Sequence, residues 1–224
     1  MKKKHSVPKD MFIYEREARA NHPDLVIAGV DEAGRGPLAG PVVVAAVILP
    51  IDEHEFDLPV DDSKVLSESK RKELDRALRS DPRIRWCVAL RSAAEVDRIN
   101  ILQATHAAMR ESVLKFLENP PDLVFVDGLR VKDFPIDARF IVKGDGHSAS
   151  IAAASIIAKT WRDRMMVELD KQYPEYGFAQ HKGYGTARHL QALQKFGPCP
   201  EHRRSFSPVA RVCSPPPEQL TLSL

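Results

Sequence analysis

Four acidic residues stand where apolar, strand-like segments of the chain end. Asp31 and Glu32 follow the run LVIAGV, Asp127 follows LVFV, and Asp145 follows RFIVKG. Carboxylates on rigid strands are the oxygen ligands that Mg²⁺ and Mn²⁺ take in proteins. Two such ions about 3.5–4 Å apart activate a water and stabilise the leaving oxygen in phosphodiester hydrolysis. The acids therefore indicate a hard-cation site suited to hydrolysis.

A plainer interpretation exists for two of these acids. Asp127 and Asp145 each precede a glycine, which is a common turn signal. Asp31 and Glu32 have no turn residue directly after them, but neighbouring residues of a regular strand face opposite sides of the sheet. Both side chains serve one site only if the strand breaks or bulges there, or if a backbone carbonyl joins the coordination.

The stretch Gly34-Arg35-Gly36 presents bare backbone directly after the first acid pair. Such a loop can offer N–H and C=O groups to a sugar hydroxyl or a phosphate. It is not a Walker loop, because no Lys-Ser/Thr ending follows, and its glycine spacing does not match a dinucleotide fingerprint. The alternative is a tight turn that needs glycine backbone angles.

Hydrophobic patterning predicts the elements that must position these residues. Apolar runs predict strands, and helical periodicity between them predicts helices. The predicted strands cover residues 25–30, 42–49, 83–91, 121–128 and 138–146, and the helices cover 67–80, 92–100, 102–116, 148–172 and 186–197. Ser92 and Glu95 form a capping box. Strands come first and helices cluster later, which favours a mixed α/β layer with a helical C-terminal segment.

Composition narrows the classes of protein that the chain can represent. Its 224 residues are 43% hydrophobic and 29% charged, with a net charge of +2. No apolar run reaches membrane-spanning length, and three cysteines in odd number indicate reduced thiols in a cytoplasmic protein. Residues 181–213 carry six Lys or Arg against Glu201 alone. This segment indicates either a positive face for nucleic acid or an ordinary solvated surface.

The order of motifs resembles prokaryotic ribonuclease HII. The motifs that carry the resemblance are GVDEAGRGPLAGPVVVAAVIL, DDSKVLSESKR, EVDRINILQATHAAM, VFVDG, VKGDGHSASIAAASIIAKTWRD, YGFAQHKGYGT and HRRSFSPV. They span about residues 25–210. The resemblance implies an α/β fold of the ribonuclease H-like type, with a mixed sheet flanked by helices and a helical C-terminal extension.

The resemblance also implies a division of the chain. Residues 1–24 would be an N-terminal segment, 25–180 the catalytic domain, 181–213 a basic helical substrate-binding segment, and 214–224 a disordered tail. About thirty residues precede Asp31, too few for the N-terminal substrate domain of the sister family ribonuclease HIII. The type II form is therefore expected.

An endonuclease activity follows from the resemblance. The enzyme would hydrolyse the RNA strand of RNA–DNA hybrids and cut 5′ of single ribonucleotides in duplex DNA, with Mn²⁺ or Mg²⁺, leaving 3′-hydroxyl and 5′-phosphate ends. A monomer without membrane contact is expected. A catalytically silent binder on this fold would lack an acid, and an integrase or transposase would lack the glycine loop and the tyrosine motif.

The resemblance also assigns roles to individual residues at the positions where this sequence matches the motifs of the family. Asp31, Glu32 and Asp127 resemble the main metal ligands of the family, and Asp145 its fourth catalytic acid. Gly34, Arg35 and Gly36 match the loop that contacts the ribose 2′-hydroxyl largely through backbone. Tyr184 matches the tyrosine at the RNA–DNA junction. Reading the 2′-hydroxyl is the means by which a protein tells RNA from DNA.

Several polar motif residues are expected to contact phosphates. These are Lys64, Lys143, Ser148, Ser150, Lys159, Arg162 and the basic segment 181–213. Alternatives remain for some: Lys159 and Arg162 could form a solvated helix face, and Ser148 could be only a helix N-cap. Two roles remain open for His181: it shuttles protons, or it only hydrogen-bonds to a neighbouring residue. For His202 and Ser205 the sequence provides no role.

Overall fold

A computed structural model describes residues 10–52, 56, 58–60, 66–116 and 118–214. Lys64 and residues 215–224 of the predicted tail lie outside this part. The strands are β1 (Ile27–Ala33), β2 (Val42–Ile48), β3 (Arg85–Arg91), β4 (Leu123–Asp127) and β5 (Ala138–Ile141). The helices are α1 (Ile13–Arg19), α2 (Glu68–Ser80), α3 (Ala93–Leu114), α4 (Ala149–Gln172), α5 (Phe178–His181), α6 (Ala187–Phe196) and α7 (Ser207–Cys213).

The five strands form one mixed sheet in the order β3-β2-β1-β4-β5. Strand β1 runs antiparallel to β2 and parallel to β4, and β4 runs parallel to β5. Every residue of β2 is buried, as its unbroken apolar run predicts for a strand covered on both faces. All five predicted strands are confirmed, and so is the mixed α/β class.

Helices cover both faces of the sheet. Alternate β2 residues such as Ala45 and Val47 pack with α2 and the first half of α4. The intervening Val44 and Ala46 pack with Met109 of α3 on the other face. This alternation follows from the two-residue period of a strand, and it gives the sheet a core on each side.

Helix boundaries follow the expected capping chemistry. The Ser92 hydroxyl accepts from the Glu95 N–H at 3.2 Å, and the Glu95 carboxylate accepts from the Ser92 N–H at 2.9 Å, which confirms the capping box. Asn100 interrupts α3 with a φ of 63°. Its side chain accepts from the Gln103 N–H at 3.0 Å and caps a second helical segment, so α3 consists of two helices that meet at Asn100, as the sequence predicts.

Contacts divide the described residues into two compact units, which fall within the following ranges of the chain. The first comprises Met1–Ala33, Val43–Leu90 and Thr105–Trp161, and contains most of the sheet. The second comprises Gly34–Val42, Arg91–Ala104 and Arg162–Leu224. Its core includes Ala39, Met166, Tyr176 and Phe178. In the described residues, no helix is long and apolar enough to cross a membrane.

Candidate active site

Three of the four predicted acids meet at one edge of the sheet. Asp31 lies near the end of β1, Asp127 is the last residue of β4, and Asp145 lies in the 3-10 turn Gly144–Gly146 after β5. One carboxylate oxygen from each lies within 4.8 Å of the others. These strands are parallel to one another, so their C-terminal ends share an edge, which is where α/β sheets bind ligands.

The strand register brings the acids level. Val30 pairs with Val126, so the next residues along each strand, Asp31 and Asp127, stand side by side. The Gly144 N–H donates to the Asp127 carboxylate at 2.7 Å and fixes the turn that carries Asp145. The turn and the carboxylates are therefore held by backbone hydrogen bonds rather than by long side chains.

Gly29 permits the first turn of α4 to approach β1 closely. A Cβ at this position would lie 2.0 Å from the carbonyl carbon of Ser150. The bare backbone of β1 is therefore required for this contact. It sets the start of α4, from which the Ser155 side chain hydrogen-bonds Asp31.

Burial and like charges act together on Asp31, which is 4% exposed. Burial, followed by the negative charges of Glu32 and Asp127, raises the pKa of the Asp31 carboxyl well above 3.8. Hydrogen bonds from Ser155 and from the Glu32 N–H, at 2.7 Å, act in the opposite direction. A carboxylate so crowded needs a proton or a cation beside it.

Glu32, the remaining acid of the predicted ligand set, is placed differently from the other three. Its side chain is not part of the close group, because β1 continues in regular register, with Glu32 paired to Val44 and Ala33 to Val43. Neighbouring side chains on such a strand face opposite sides. The break or bulge that would have brought Glu32 to the site is absent from β1. Its charge still raises the pKa of Asp31.

The donor set fits a hard divalent cation. Among the described residues, one group of three or more Asp, Glu, His or Cys side chains is close enough to hold a metal ion: Asp31, Asp127 and Asp145. All of their donors are carboxylate oxygens, which suit Mg²⁺ and Mn²⁺ rather than softer ions. The residues that could hold the metal are therefore these three.

The glycine loop lies in the second unit. Gly34 is buried with a φ of 98°, and a Cβ on it would lie 2.0 Å from Nε of Arg162. Arg35 and Gly36 are exposed. Tyr184 is 48% exposed, and its ring lies 3.7 Å from the place of a Gly36 Cβ. An exposed aromatic ring therefore stands beside exposed glycine backbone.

Arg162 departs from the prediction of a phosphate contact. The side chain is 1% exposed and donates to the carbonyls of Pro41, Lys182 and Ala39 at 2.9, 2.9 and 3.0 Å. Burial lowers the pKa of the guanidinium to about 10. The group is neither exposed to a phosphate nor part of a solvated helix face. It holds the backbone that includes the glycine loop.

Ser148 and Ser150 also differ from the predicted phosphate contacts. Both are buried, and their hydroxyls donate to the Glu15 carboxylate at 2.7 and 2.8 Å. The Ser148 hydroxyl also accepts from the Ile151 N–H at 3.3 Å, which confirms the alternative role as N-cap of α4. The negative charge of Glu15 thus lies at the N-terminus of α4, where the helix dipole favours an anion.

The remaining predicted phosphate contacts differ from one another in their exposure to solvent. Lys143 is exposed with a φ of 59°, and Lys159 is half-buried. In the basic segment 181–213, Arg204 is exposed, whereas Arg203 is fully buried. Lys143 and Arg204 are therefore accessible to a phosphate, and Arg203 is not.

Buried histidines support the backbone of Tyr184. The His189 Nδ1 lies 2.9 Å from the Tyr184 carbonyl, and its Nε2 lies 3.0 Å from Nε2 of His202. The Cys199 N–H donates to Nδ1 of His202 at 3.1 Å. The Tyr184 carbonyl only accepts, so Nδ1 of His189 carries a proton and donates. Nδ1 of His202 accepts from Cys199, so the proton of His202 lies on Nε2, which donates to Nε2 of His189. Each ring therefore carries one proton and is neutral. Burial lowers the pKa of His202 to about 4.

Other motif residues have simple structural partners. His181 Nε2 lies 2.8 Å from the Tyr176 carbonyl, as expected for a bond to a neighbour. The Ser205 hydroxyl donates to Asp97 at 2.6 Å. Sequence reasoning missed Glu15, which lies outside every quoted motif, and Ser155, which lies within the motif VKGDGHSASIAAASIIAKTWRD but was not distinguished from its neighbours. It included Arg203 only as one more basic residue.

The chain is similar to known proteins over most of its length. Residues 28–209 match the family model described as Ribonuclease HII. Ribonuclease HII of Acetivibrio thermocellus is 52% identical over 198 residues, which are 88% of this chain and 75% of that protein. Ribonuclease HII of Chlamydia muridarum is 54% identical over 183 residues, 82% of each chain.

Solved structures give the same result. The PCNA:RNase HII complex from Archaeoglobus fulgidus matches with a TM-score of 0.70 and 28% identity, over 81% of this chain and 95% of that chain. Bst-RNase HIII in complex with Mn²⁺ matches with a TM-score of 0.64 and 18% identity, over 88% of this chain and 71% of that chain, and shows the fold alone. The chain belongs to the ribonuclease HII family and is a ribonuclease H.

Proposed function

We propose that the protein hydrolyses the RNA strand of RNA–DNA hybrids and also cuts 5′ of single ribonucleotides embedded in duplex DNA. The products would carry 3′-hydroxyl and 5′-phosphate ends. The observation that carries the proposal is the meeting of Asp31, Asp127 and Asp145, whose oxygens lie within 4.8 Å at one sheet edge. Membership of the ribonuclease HII family supports the substrate class.

The three carboxylates would hold Mn²⁺ or Mg²⁺, and Glu32 would contribute its charge or its backbone carbonyl. A pair of divalent ions supplies activation of a water and neutralisation of charge on the leaving oxygen. The protein itself would fix the carboxylates on the sheet. Hydrogen bonds from Ser155 and from the Glu32 N–H favour the ionised form of Asp31, which is the form that binds a cation. Rigid placement of ligands is what such chemistry requires.

Recognition of the ribonucleotide would fall to the glycine loop and Tyr184. The exposed backbone at Gly36 can bond a 2′-hydroxyl, and the Tyr184 ring can stack on a sugar or a base. Lys143, Lys159 and exposed residues of segment 181–213 would contact phosphates without reading sequence. Lys64 remains a proposed contact in the same group.

The experiment that tests the proposal uses a duplex DNA that carries one ribonucleotide, labelled at both ends. With Mn²⁺ or Mg²⁺ we expect one cut 5′ of the ribonucleotide, with a 3′-hydroxyl upstream and a 5′-phosphate downstream. An all-DNA duplex and the Asp31→Asn variant are the controls, and neither should yield product. Equal cutting in EDTA, or a 2′,3′-cyclic phosphate end, would contradict the proposal.

The setting of the enzyme is part of the proposal. Cys87, Cys199 and Cys213 are all free. Free thiols suit a reducing compartment, and we place the enzyme in the cytoplasm as a monomer. Sedimentation of the purified chain at micromolar concentration would test the monomer.

A further inference from the structure

The Arg203 guanidinium uses all of its N–H donors on the glycine loop and the residues that follow it, up to Gly40. Its guanidinium makes five hydrogen bonds to the carbonyls of Gly34, Arg35, Pro37 and Gly40, at 2.6 to 3.0 Å. A guanidinium has five N–H donors and no acceptor, so none is left for a phosphate. The side chain is fully buried. Its contacts therefore serve the shape of the loop.

The bond to the Arg35 carbonyl has a consequence for Gly36. The Nη1 of Arg203 donates to this carbonyl at 2.9 Å. The described residues contain no cis peptide bond, and a planar trans peptide directs the C=O of one residue and the N–H of the next to opposite sides. The Gly36 N–H therefore points away from the buried guanidinium. Since Gly36 is exposed, this direction is outward.

The rest of the loop is held in the same way. Arg162 binds the carbonyls of Ala39 and Pro41, and the Arg203 N–H binds the carbonyl of Leu38 at 2.8 Å. Charge-assisted bonds from a buried guanidinium are stronger than neutral ones. Rotation of a loop peptide would leave a buried donor unpaired, which is costly. The loop backbone is therefore fixed before any ligand arrives.

We propose that Arg203 is a positioning residue for discrimination between RNA and DNA: by holding the Arg35 carbonyl inward, it aims the Gly36 N–H, beside Tyr184, at the ribose 2′-hydroxyl. The inference rests on the proposed function and adds to it the residue on which the sugar preference depends. Arg203 touches no substrate in this role. It acts through the peptide between Arg35 and Gly36.

The test measures sugar preference rather than activity alone. In an Asp31→Asn background, where cleavage is removed, affinities are compared for a duplex with one ribonucleotide and for the same all-DNA duplex. Arg203→Gln should reduce the ratio of the two affinities about tenfold while leaving the all-DNA affinity within about twofold, since one aimed hydrogen bond is lost. Arg204→Gln is the matched control and should weaken both duplexes alike.

Two further variants keep the inference testable if Arg203→Gln does not fold. Arg203→Lys retains the charge but lacks the fork that spans two carbonyls, so the preference should also fall. Gly36→Ala keeps the N–H and meets only an ordinary contact with Tyr184, whereas Gly36→Pro removes the N–H. We expect the ratio to survive in the alanine variant and to be lost in the proline variant.

The outcomes separate this inference from the proposed function. Equal binding of the two duplexes by the parent would refute the proposed function, and this inference with it. A preference in the parent that persists in a folded Arg203→Gln or Arg203→Lys variant would refute this inference alone. Equal loss of affinity for both duplexes would do the same, because it is the signature of a merely structural role.

Discussion

Replacement of Asp31 by asparagine should affect stability and activity in opposite directions. In the metal-free protein, burial and then the negative charges of Glu32 and Asp127 raise the pKa of Asp31. Asparagine keeps an oxygen that can accept the Glu32 N–H, but it carries no charge. The variant should therefore be more stable than the parent in EDTA, although it cannot cleave.

The size of the effect follows from the spacing of the acids. Carboxylate oxygens within 4.8 Å of one another repel by about 3 kcal/mol per ionised pair at an effective dielectric constant of about 20. Part of this is already relieved by protonation, so we expect a gain of about 1–3 kcal/mol in the free energy of unfolding. For a domain of this size each kcal/mol raises the Tm by about 2–4 °C.

The dependence on pH has a definite sign. A carboxyl whose pKa is raised in the folded state favours folding when protonated, and this contribution is lost as the pH rises above 3.8 towards the folded-state pKa. The stability advantage of Asp31→Asn should therefore grow over that range. It should vanish at lower pH, where the parent carboxyl is neutral in both states.

Thermal unfolding in EDTA and in increasing Mn²⁺ is the assay. Mn²⁺ should stabilise the parent by mass action and the variant much less, so their order reverses. Asp75→Asn is the control, because Asp75 is buried beside Arg79 at 2.7 Å and should lose stability with or without metal. A variant less stable than the parent in EDTA, with no reversal in Mn²⁺, would refute the reasoning.

Three further predictions concern the scaffold. Gly34→Ala should cost about 1–3 kcal/mol more than Gly197→Ala, because both glycines have positive φ but only the first Cβ would meet buried atoms; equal losses in urea unfolding would count against the close contact. The contribution of His202 to stability should fall by about 2 kcal/mol as the pH drops from 6.5 to 4, because His202 is buried neutral with its pKa lowered to about 4; a His202→Asn variant with the same pH profile as the parent would argue against this. Glu15→Ala should cost about 2–4 kcal/mol, since two buried hydroxyls lose their acceptor, whereas exposed Glu17→Ala should be nearly neutral in the same assay.

The sheet and most of the acidic site could be predicted from local sequence. Unbroken apolar runs marked β1, β2 and β4, and the acids near the ends of β1 and β4 and after β5 marked the edge where ligands bind. The parallel register that brings Asp31 level with Asp127 was not visible, because strand order depends on contacts distant in the chain. The short helices α1, α5 and α7 lack enough turns to show a periodic pattern.

The role of the basic and hydroxyl residues was less predictable. A motif arginine indicates a charge but not its direction, and Arg162 and Arg203 point inward because the glycine loop turns carbonyls towards them. Ser148 and Ser150 bind Glu15, which is more than a hundred residues earlier and has no signal of its own. The Glu32 side chain stands outside the group of three close carboxylates because its strand stays regular. Each difference arises from tertiary contacts.

A divalent cation held by three carboxylates is the central claim, and crystals soaked in Mn²⁺ test it most directly. Anomalous diffraction should show a peak between Asp31, Asp127 and Asp145, at about 2.0–2.4 Å from an oxygen of each. The peak should disappear in Asp31→Asn crystals treated in the same way. A strong peak elsewhere with none at these carboxylates would contradict the account.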